Sequence, residues 1–294
     1  MSSPALATTR STVMDYLELT KPRITCMVVL TALVGFVMAS PGHLSYARLI
    51  SALVGTALVA SGASALNMVL ERDTDARMRR TRGRPLPAGR LHVGEAVWFG
   101  LALTALGVGE LLWLSGSLAA TVAIVTWSTY LFVYTPLKRR TSLATLVGAV
   151  PGALPPLIGW AAARQALDPG AYVLFTILFL WQIPHFLAIA WIYRDDYALG
   201  GLPMLPVLDP DGRLTSRQAL AHALALLVVS LAPVAAGMAG PAYLAGAALL
   251  GLGLVAFALR LALRRTGEAA RGLFLASVAY LPALSILLMT GRLR

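Results

Sequence analysis

The chain alternates between long uncharged runs and short polar segments, and the runs determine the predicted architecture. Most runs are at least 20 residues long, which is the length at which an α-helix crosses about 30 Å of hydrocarbon. The run 218–259 is too long for one crossing, and Gly240-Pro241 near its middle is typical of a turn between two helices. The pattern predicts nine membrane-spanning helices at residues 22–41, 46–70, 94–114, 117–137, 142–163, 169–193, 215–238, 241–263 and 271–290.

Composition supports an all-α integral membrane protein. Of the 294 residues, 58% are hydrophobic and 13% are charged, and the mean hydropathy is +0.75. These values exclude a soluble domain, a disordered chain and a disulfide scaffold, and the one cysteine, Cys26, has no partner in the chain. In a soluble protein the net charge of +11 would indicate nucleic acid, but here it indicates basic loops facing anionic lipid. No nucleic acid partner is expected.

The basic residues also predict the orientation. With nine spans, 20 of the 24 Lys and Arg residues fall on the side of the N-terminus, which this bias places in the cytoplasm. The first residues do not match a cleaved secretory signal or a transit peptide, so we expect a bacterial cytoplasmic membrane. No linker interrupts the spans, and residues 1–294 are expected to form a single membrane domain.

A first polar cluster lies at the end of the second span. Asn67, Glu71 and Asp75 follow one another at intervals of four residues and therefore share one helix face, whereas Asp73 falls off it. An amide oxygen and two carboxylates suit Mg²⁺, and a phosphate ligand would satisfy both the acids and the arginines that follow. Those arginines are Arg77, Arg79, Arg80, Arg82, Arg84 and Arg90. The alternative is a solvated helix end whose charges only set orientation.

A second polar cluster ends the sixth span on the same side of the membrane. Asp195 and Asp196 form either a solvated helix end or a second metal-diphosphate clamp that faces the first cluster. His185 precedes Asp195 by ten residues, so on a straight helix it lies about 15 Å deeper in the membrane than Asp195. Pro184 is expected to kink that helix. A histidine within a span can bind an acceptor, ligate a metal, relay a proton or simply pack.

Two further segments contribute to the same end of the molecule. Span four ends with Lys138, Arg139 and Arg140, which are either orientation signals or ligands for the same phosphate. Span five contains Pro155-Pro156 between small residues, so we expect this span to be broken or bent beside a cavity.

These motifs together resemble the intramembrane (UbiA-type) prenyltransferase superfamily. The matching stretches are Leu19-Thr-Lys-Pro-Arg23, Asn67 to Asp75, Met78-Arg-Arg-Thr81, Arg84-Pro-Leu-Pro87, Tyr134 to Thr141, Gly152 to Gly159, Trp181 to Ala190, and Asp195 through Pro203-Met-Leu-Pro206. They extend over most of residues 19–207, while residues 208–294 match only as hydrophobic spans.

The resemblance implies nine helices around a central cavity, with Mg²⁺ or Mn²⁺ and a prenyl diphosphate bound at the cytoplasmic mouth. Carried over residue by residue, it implies metal ligands at Asn67, Glu71, Asp75, Asp195 and Asp196, which act in catalysis together with Lys138. The substrate-binding residues would be Arg72, Arg79, Arg84, Tyr134, Arg139, His185 and Tyr197. The superfamily has a further acid four residues before Asp196, where this chain has Ile192.

Within the superfamily, the resemblance is strongest to members that transfer a farnesyl group from farnesyl diphosphate to a vinyl group of haem b, giving haem O for haem-copper oxidases. A haem A synthase or an oxidase assembly protein would then be a candidate partner. His185 and the missing second acid favour haem over an aromatic acid or quinone precursor as the acceptor. Alternatives from other classes are a secondary transporter of an anionic substrate and an oxidase assembly scaffold.

Overall fold

The computed structural model describes residues 12–40, 42 and 44–293, and it is nearly all-helical. Arg10, His43 and Arg294 lie outside the described residues. Nine helical segments in the described part of the chain are long and apolar enough to cross a membrane. They are α1 (Pro22–Ala39), α2 (Tyr46–Asp75), α3 (Val93–Ser115), α4 (Ser117–Leu137), α5 (Ala144–Arg164), α6 (Pro169–Ile192), α7 (Arg213–Ala235), α8 (Pro241–Arg264) and α9 (Gly267–Thr290).

The nine predicted spans are confirmed, with two boundaries that differ by several residues. Helix α2 continues five residues past the predicted end, to Asp75, and α9 begins at Gly267 instead of residue 271. Both extensions carry charged side chains, which the hydropathy pattern assigned to loops. A helix can continue beyond the hydrocarbon wherever its polar groups find partners, so the charge pattern marks the edge of the membrane and not the end of the helix.

Short helices and irregular turns complete the fold. The helix Thr12–Leu19 precedes α1, and Arg194–Leu199 and Leu205–Leu208 lie between α6 and α7. As predicted, α5 is interrupted: Ala144–Ala153 and Pro155–Arg164 meet at Leu154, because proline lacks the N–H that would continue the helix. Helix α6, in contrast, runs without interruption through Pro184.

Helix α4 changes its winding close to the candidate site. Its segment Thr129–Tyr134 is a π-helix, in which the wider turn shifts the direction of the side chains that follow. The hydroxyl of Thr135 donates to the carbonyl of Tyr130 at 2.9 Å, five residues earlier, and adds to the hydrogen bond that the backbone N–H of Thr135 makes to the same carbonyl. Such turns concentrate at functional sites.

Glycines allow two helix pairs to approach closely. A Cβ atom on Gly62 of α2 would lie 2.6 Å from the carbonyl oxygen of Gly100 of α3. A Cβ atom on Gly107 of α3 would lie 2.7 Å from the carbonyl oxygen of Gly55 of α2. Gly35 of α1 leaves no space for a Cβ because the carbonyl of Pro156 fills it. Small residues at helix contacts are the usual means by which backbones approach within a membrane.

Replacing Gly35 with alanine should therefore destabilise the protein. The new methyl group meets the backbone of Pro156, which cannot rotate away, so we expect a loss of about 1–3 kcal/mol in the free energy of unfolding. Reversible unfolding in mixed detergent measures this change. Gly109→Ala is the control, since nothing lies within 4 Å of a Cβ there. Equal stability of the two variants would contradict the close packing of α1 on α5.

Candidate active site

The first polar cluster forms a buried row at the end of α2. Asn67, Glu71 and Asp75 are all buried, and the helix is continuous through them, so the spacing of four residues places them along one face. Asp73 points away, with 72% of its side chain exposed. The predicted separation of Asp73 from the other three side chains is confirmed. A buried row of this kind requires partners, because unpaired polar groups at this depth are costly.

Asn67 receives its partners from two other parts of the chain. The Nζ of Lys21 donates to Oδ1 of Asn67 at 2.7 Å, and Nδ2 of Asn67 donates to the hydroxyl of Thr135 at 3.0 Å. Lys21 precedes α1 and has a positive φ of 47°, in the left-handed region that a residue with a side chain rarely adopts. This strained turn belongs to the residue that enters the site, a common association in functional sites.

The two carboxylates of the row are each paired with a cation. The Nζ of Lys138, just after α4, donates to Oε1 of Glu71 at 3.0 Å. The Nη1 of Arg84, from the loop after α2, donates to Oδ2 of Asp75 at 2.6 Å. Thus cations from three separate segments line the row, and a ligand with several negative charges could be held among them.

The two lysines differ in charge behaviour. Burial, together with the nearby guanidinium of Arg84, lowers the pKa of Lys21 from 10.5 to about 8. Burial also disfavours the charged form of Lys138, but the carboxylate of Glu71 outweighs it, and the pKa of Lys138 is raised. At neutral pH both side chains are therefore mainly cationic, and only Lys21 loses its proton at mildly alkaline pH.

Asp75 retains an atom with unused binding capacity. Its Oδ1 is buried and has no hydrogen-bond partner among the described residues, although Oδ2 is paired with Arg84. A buried carboxylate oxygen without a partner costs about 1–3 kcal/mol or more, and a divalent cation would relieve that cost. The oxygen-rich row therefore fits Mg²⁺ or Mn²⁺. The described residues contain no group of three or more His, Cys, Asp or Glu side chains close enough to hold a metal alone, so phosphate and water oxygens would complete its coordination.

The second acidic cluster contacts the arginine-rich loop. The carboxylate of Asp196 accepts hydrogen bonds from the backbone amides of Arg79 and Arg80, at 3.2 and 3.0 Å. The guanidinium of Arg80 lies 5.2 Å from the ring centroid of Tyr193 and 6.0 Å from that of Tyr197. These contacts fix the loop after α2 to the segment after α6.

Asp195 occupies a different environment. Its side chain is 95% exposed and lies 3.8 Å from Arg194. The two aspartates of the second cluster thus have unequal positions, and the clamp in which they face the first cluster stays a prediction.

The remaining predicted substrate-binding residues differ in their burial and in their partners. Tyr134 is half-buried and stacks on Tyr130, with 5.6 Å between ring centroids, and Tyr197 is buried. Arg72, Arg79 and Arg139 are exposed. Arg139 donates to the carbonyl of Leu70, whereas the side chain of Arg72 lies 3.3 Å from Asp73, away from the row.

His185 lies apart from the acidic row, on α6 facing α9. Its Nδ1 is 2.8 Å from the hydroxyl of Ser277, and its ring stacks on Trp181 with 4.7 Å between centroids. The sequence pattern singled out His185 but not Ser277, which is 92 residues away along the chain. The pattern also omitted Lys21 and Thr135 from the site.

A signal for Lys21 was nevertheless available. Lys21 and Lys138 are the only lysines in a chain with 24 basic residues, and the structure brings both to the buried row. Lysine is a compact charge that can be buried beside a single oxygen, whereas arginine presents a wide planar group.

Comparison with known proteins agrees with this geometry. A sequence profile described as the UbiA prenyltransferase family matches residues 28–278. The chain therefore belongs to the UbiA prenyltransferase family, whose structurally characterised relatives share its helical membrane fold.

Similarity to individual proteins is more specific. The chain is 48% identical over 288 residues to the Protoheme IX farnesyltransferase of Solibacter usitatus, covering 95% of this chain and 98% of the relative. The Protoheme IX farnesyltransferase of Anaeromyxobacter sp. is 46% identical over 277 residues, covering 94% and 93%.

Solved structures extend the fold match. A digeranylgeranylglyceryl phosphate synthase superposes with a TM-score of 0.80 at 16% identity, covering 95% of this chain and 98% of that one. A UbiA homolog from Archaeoglobus fulgidus bound to GPP and Mg²⁺ superposes with a TM-score of 0.67 at 15% identity, covering 93% and 99%. At these identities the likeness concerns the fold.

The opposite pKa shifts of the two lysines can be measured directly. Protein labelled with ¹³C at the lysine ε-carbon should give two signals in metal-free, ligand-free detergent solution. We expect the Lys21 signal to titrate with a midpoint at about pH 8 and the Lys138 signal to remain unchanged beyond that pH, because Glu71 stabilises its charge. Lys21→Arg assigns the signals.

The lowered pKa of Lys21 also makes the free energy of unfolding depend on pH. The folded pKa of Lys21 is lowered, so between about pH 8 and 10.5 the unfolded chain binds more protons, and the contribution of Lys21 to the free energy of unfolding rises with pH. A Lys21 midpoint at or above 10.5 would contradict the buried position of this side chain.

Proposed function

We infer that this protein is an intramembrane prenyltransferase that transfers a farnesyl group from farnesyl diphosphate to a vinyl group of protohaem IX, which produces haem O. Its curated relatives named Protoheme IX farnesyltransferase match along nearly their full length. The observation that carries the chemistry is the buried row of Asn67, Glu71 and Asp75 with a cation beside each member. Such a row can bind both a metal ion and a diphosphate.

We propose that the diphosphate lies at the mouth formed by the ends of α2 and α4, with the farnesyl chain in an apolar cavity between the helices. Lys21, Lys138 and Arg84 would face its oxygens, and Arg72, Arg79 and Arg139 would hold it from the rim. Their positive charge opposes the negative charge that grows on the departing diphosphate, which lowers the barrier for breaking the carbon–oxygen bond.

Mg²⁺ or Mn²⁺ would be held by Asn67, Glu71 and Asp75, of which Asp75 offers a buried carboxylate oxygen that lacks a partner within the described residues. Asp195 and Asp196 are proposed as further ligands. When bound, the ion would neutralise part of the diphosphate charge. The residues of the chain supply the rest: they orient the diphosphate and keep water from the allylic carbon.

The reaction balances without an added oxidant. The terminal carbon of the haem vinyl group attacks C1 of the farnesyl chain while the bond from C1 to the diphosphate oxygen breaks, and the diphosphate leaves with the electron pair. Water then adds to the cation on the inner vinyl carbon and loses a proton, which gives a hydroxyethylfarnesyl group. The electron-rich vinyl group needs no strong base, which is consistent with a site in which the buried acids are already paired with cations.

The acceptor would lie deeper than the diphosphate. We propose that His185 and Tyr134 contact the porphyrin, that Tyr197 supports the loop beside it, and that arginines at the mouth pair with the propionates. We place the mouth in the cytoplasm of a bacterium and the nine spans, as one domain, in its cytoplasmic membrane, since 20 of the 24 basic residues lie on that side. A haem A synthase or an oxidase assembly protein remains a candidate recipient of the product.

Purified protein incubated with haem b, farnesyl diphosphate and Mg²⁺ should yield a haem with the mass of haem O. EDTA should abolish the product, and Asp75→Asn should slow its formation by about 100-fold or more, because a charged ligand is lost where charge develops. Asp73→Asn is the matched control, since this exposed carboxylate is only two residues away.

Mass spectrometry decides the acceptor. Prenyl transfer to a hydroxylated aromatic acid instead of haem would support the proposed diphosphate and metal site but reject haem as the acceptor. Uptake of an anionic substrate by proteoliposomes, without diphosphate release, would reject the prenyltransferase reaction.

A further inference from the structure

The imidazole of His185 is held in one orientation by residues of two helices. Trp181, one turn earlier on α6, stacks on the ring with an interplanar angle of 20°, and Phe274 of α9 lies 5.3 Å away between centroids. The indole Nε1 of Trp181 donates to the backbone carbonyl of Ser277 at 2.8 Å. The same residue of α9 therefore anchors the stacking partner and contacts the imidazole.

Ser277 also decides which nitrogen of His185 carries the proton. The hydroxyl of Ser277 donates to the carbonyl of Phe274 at 2.6 Å, and a carbonyl oxygen can only accept. Its single hydrogen is therefore used, so the hydroxyl oxygen must accept from His185 Nδ1, which lies 2.8 Å away. A neutral imidazole has one N–H, so the proton is on Nδ1 and Nε2 has a free lone pair.

This lone pair has no protein partner. Nε2 of His185 makes no hydrogen bond within the described part of the chain. Unlike the indole nitrogens of Trp127 and Trp160, which also lack a partner there, it is not completely buried. A histidine whose Nδ1–H is held by a second residue while Nε2 remains free is the arrangement by which proteins present imidazole to a metal ion.

We propose that Nε2 of His185 binds the iron of the haem substrate and that Ser277 is the positioning residue that fixes this nitrogen as the ligand. The proposal rests on the proposed function, in which haem b is the acceptor. Coordination changes no bond of the porphyrin. It would set the depth of the ring in the membrane, and with it the distance from the vinyl group to the farnesyl carbon.

The surface beside His185 leads to the cytoplasmic mouth. Ile189 of α6 and Tyr193, the residue that directly follows α6, come four and eight residues after His185. At about 1.5 Å per residue, Tyr193 lies about 12 Å nearer the mouth than His185. Arg80 stands over the Tyr193 ring at 5.2 Å, and its guanidinium has no acidic partner among the described residues. An iron porphyrin bound at His185 would therefore have a cation available toward its propionate edge.

Binding of ferric haem b to the full-length protein, without farnesyl diphosphate, tests the assignment. Absorption and electron paramagnetic resonance spectra should show an imidazole-bound iron in the wild type. His185→Gly should lose that signature, and added imidazole should restore it. Ser277→Ala should raise the Kd for haem about 10-fold or more, as expected for loss of the residue that orients a metal ligand.

Two further variants separate positioning from folding. Ser277→Thr retains the hydroxyl and should bind haem like the wild type. Ser285→Ala removes a hydroxyl two turns further along α9 and should leave both the spectrum and the Kd unchanged. A wild-type spectrum in His185→Gly, or an unchanged Kd and spectrum in Ser277→Ala, would overturn the proposal.

Failure of this proposal can be told from failure of the proposed function. If the wild type forms farnesylated haem but His185→Gly keeps an unaltered iron spectrum, the ligand assignment is wrong and the activity stands. If the wild type forms no farnesylated haem, the proposed function is wrong.

Discussion

Burial of charge at the end of α2 determines how the neighbouring segments of this protein are arranged. Taking a carboxylate out of water costs several kcal/mol unless a cation and further hydrogen bonds compensate. Glu71 and Asp75 are both buried, so α2 can end where it does only if cations from other segments reach it. Lys138 comes from the end of α4 and Arg84 from the loop after α2, at 3.0 and 2.6 Å. The row thereby brings separate segments to one point.

The second acidic cluster has another physical task, which is to hold the arginine-rich loop. Asp196 binds backbone amides of the arginine-rich loop, and Arg80 of that loop lies over aromatic rings after α6. These contacts connect the loop after α2 to the segment after α6. An arginine-rich loop repels itself and needs such anchors before its charges can be directed toward a ligand. Asp196 therefore holds the arginine-rich loop in position, in addition to its proposed role at the metal.

Much of this arrangement could be predicted from the sequence because it depends on local periodicity. The nine spans follow from the length of uncharged runs, the break in α5 from Pro155, and the shared face of the row from the spacing of four residues. The spacing also separated Asp73 from the row, because two residues correspond to about 200° of rotation on a helix.

The partners of these groups could not be predicted, because they depend on how helices distant in sequence are rotated against each other. Thr135 reaches Asn67 after a π-helical turn that shifts the register of α4, and hydropathy does not reveal such a turn. Ser277 lies 92 residues from His185 in a segment for which the sequence motifs predicted only hydrophobic spans. Lys21 stands out as one of two lysines in the chain, but its rarity does not indicate the strained backbone conformation through which it enters the site.

The affinity for a diphosphate reports on the cations beside the buried row, which are proposed to bind it. Titration calorimetry with a thiodiphosphate analogue of farnesyl diphosphate, in the presence of Mg²⁺, should give one site per chain in the wild type. Lys138→Gln should weaken binding by about 10- to 100-fold, since a hydrogen bond to a charged group contributes about 1.5–3 kcal/mol. Arg140→Gln, an exposed cation two residues further along, should leave the affinity unchanged. Equal affinities of the Lys138 and Arg140 variants would show that the cation beside Glu71 does not bind the diphosphate.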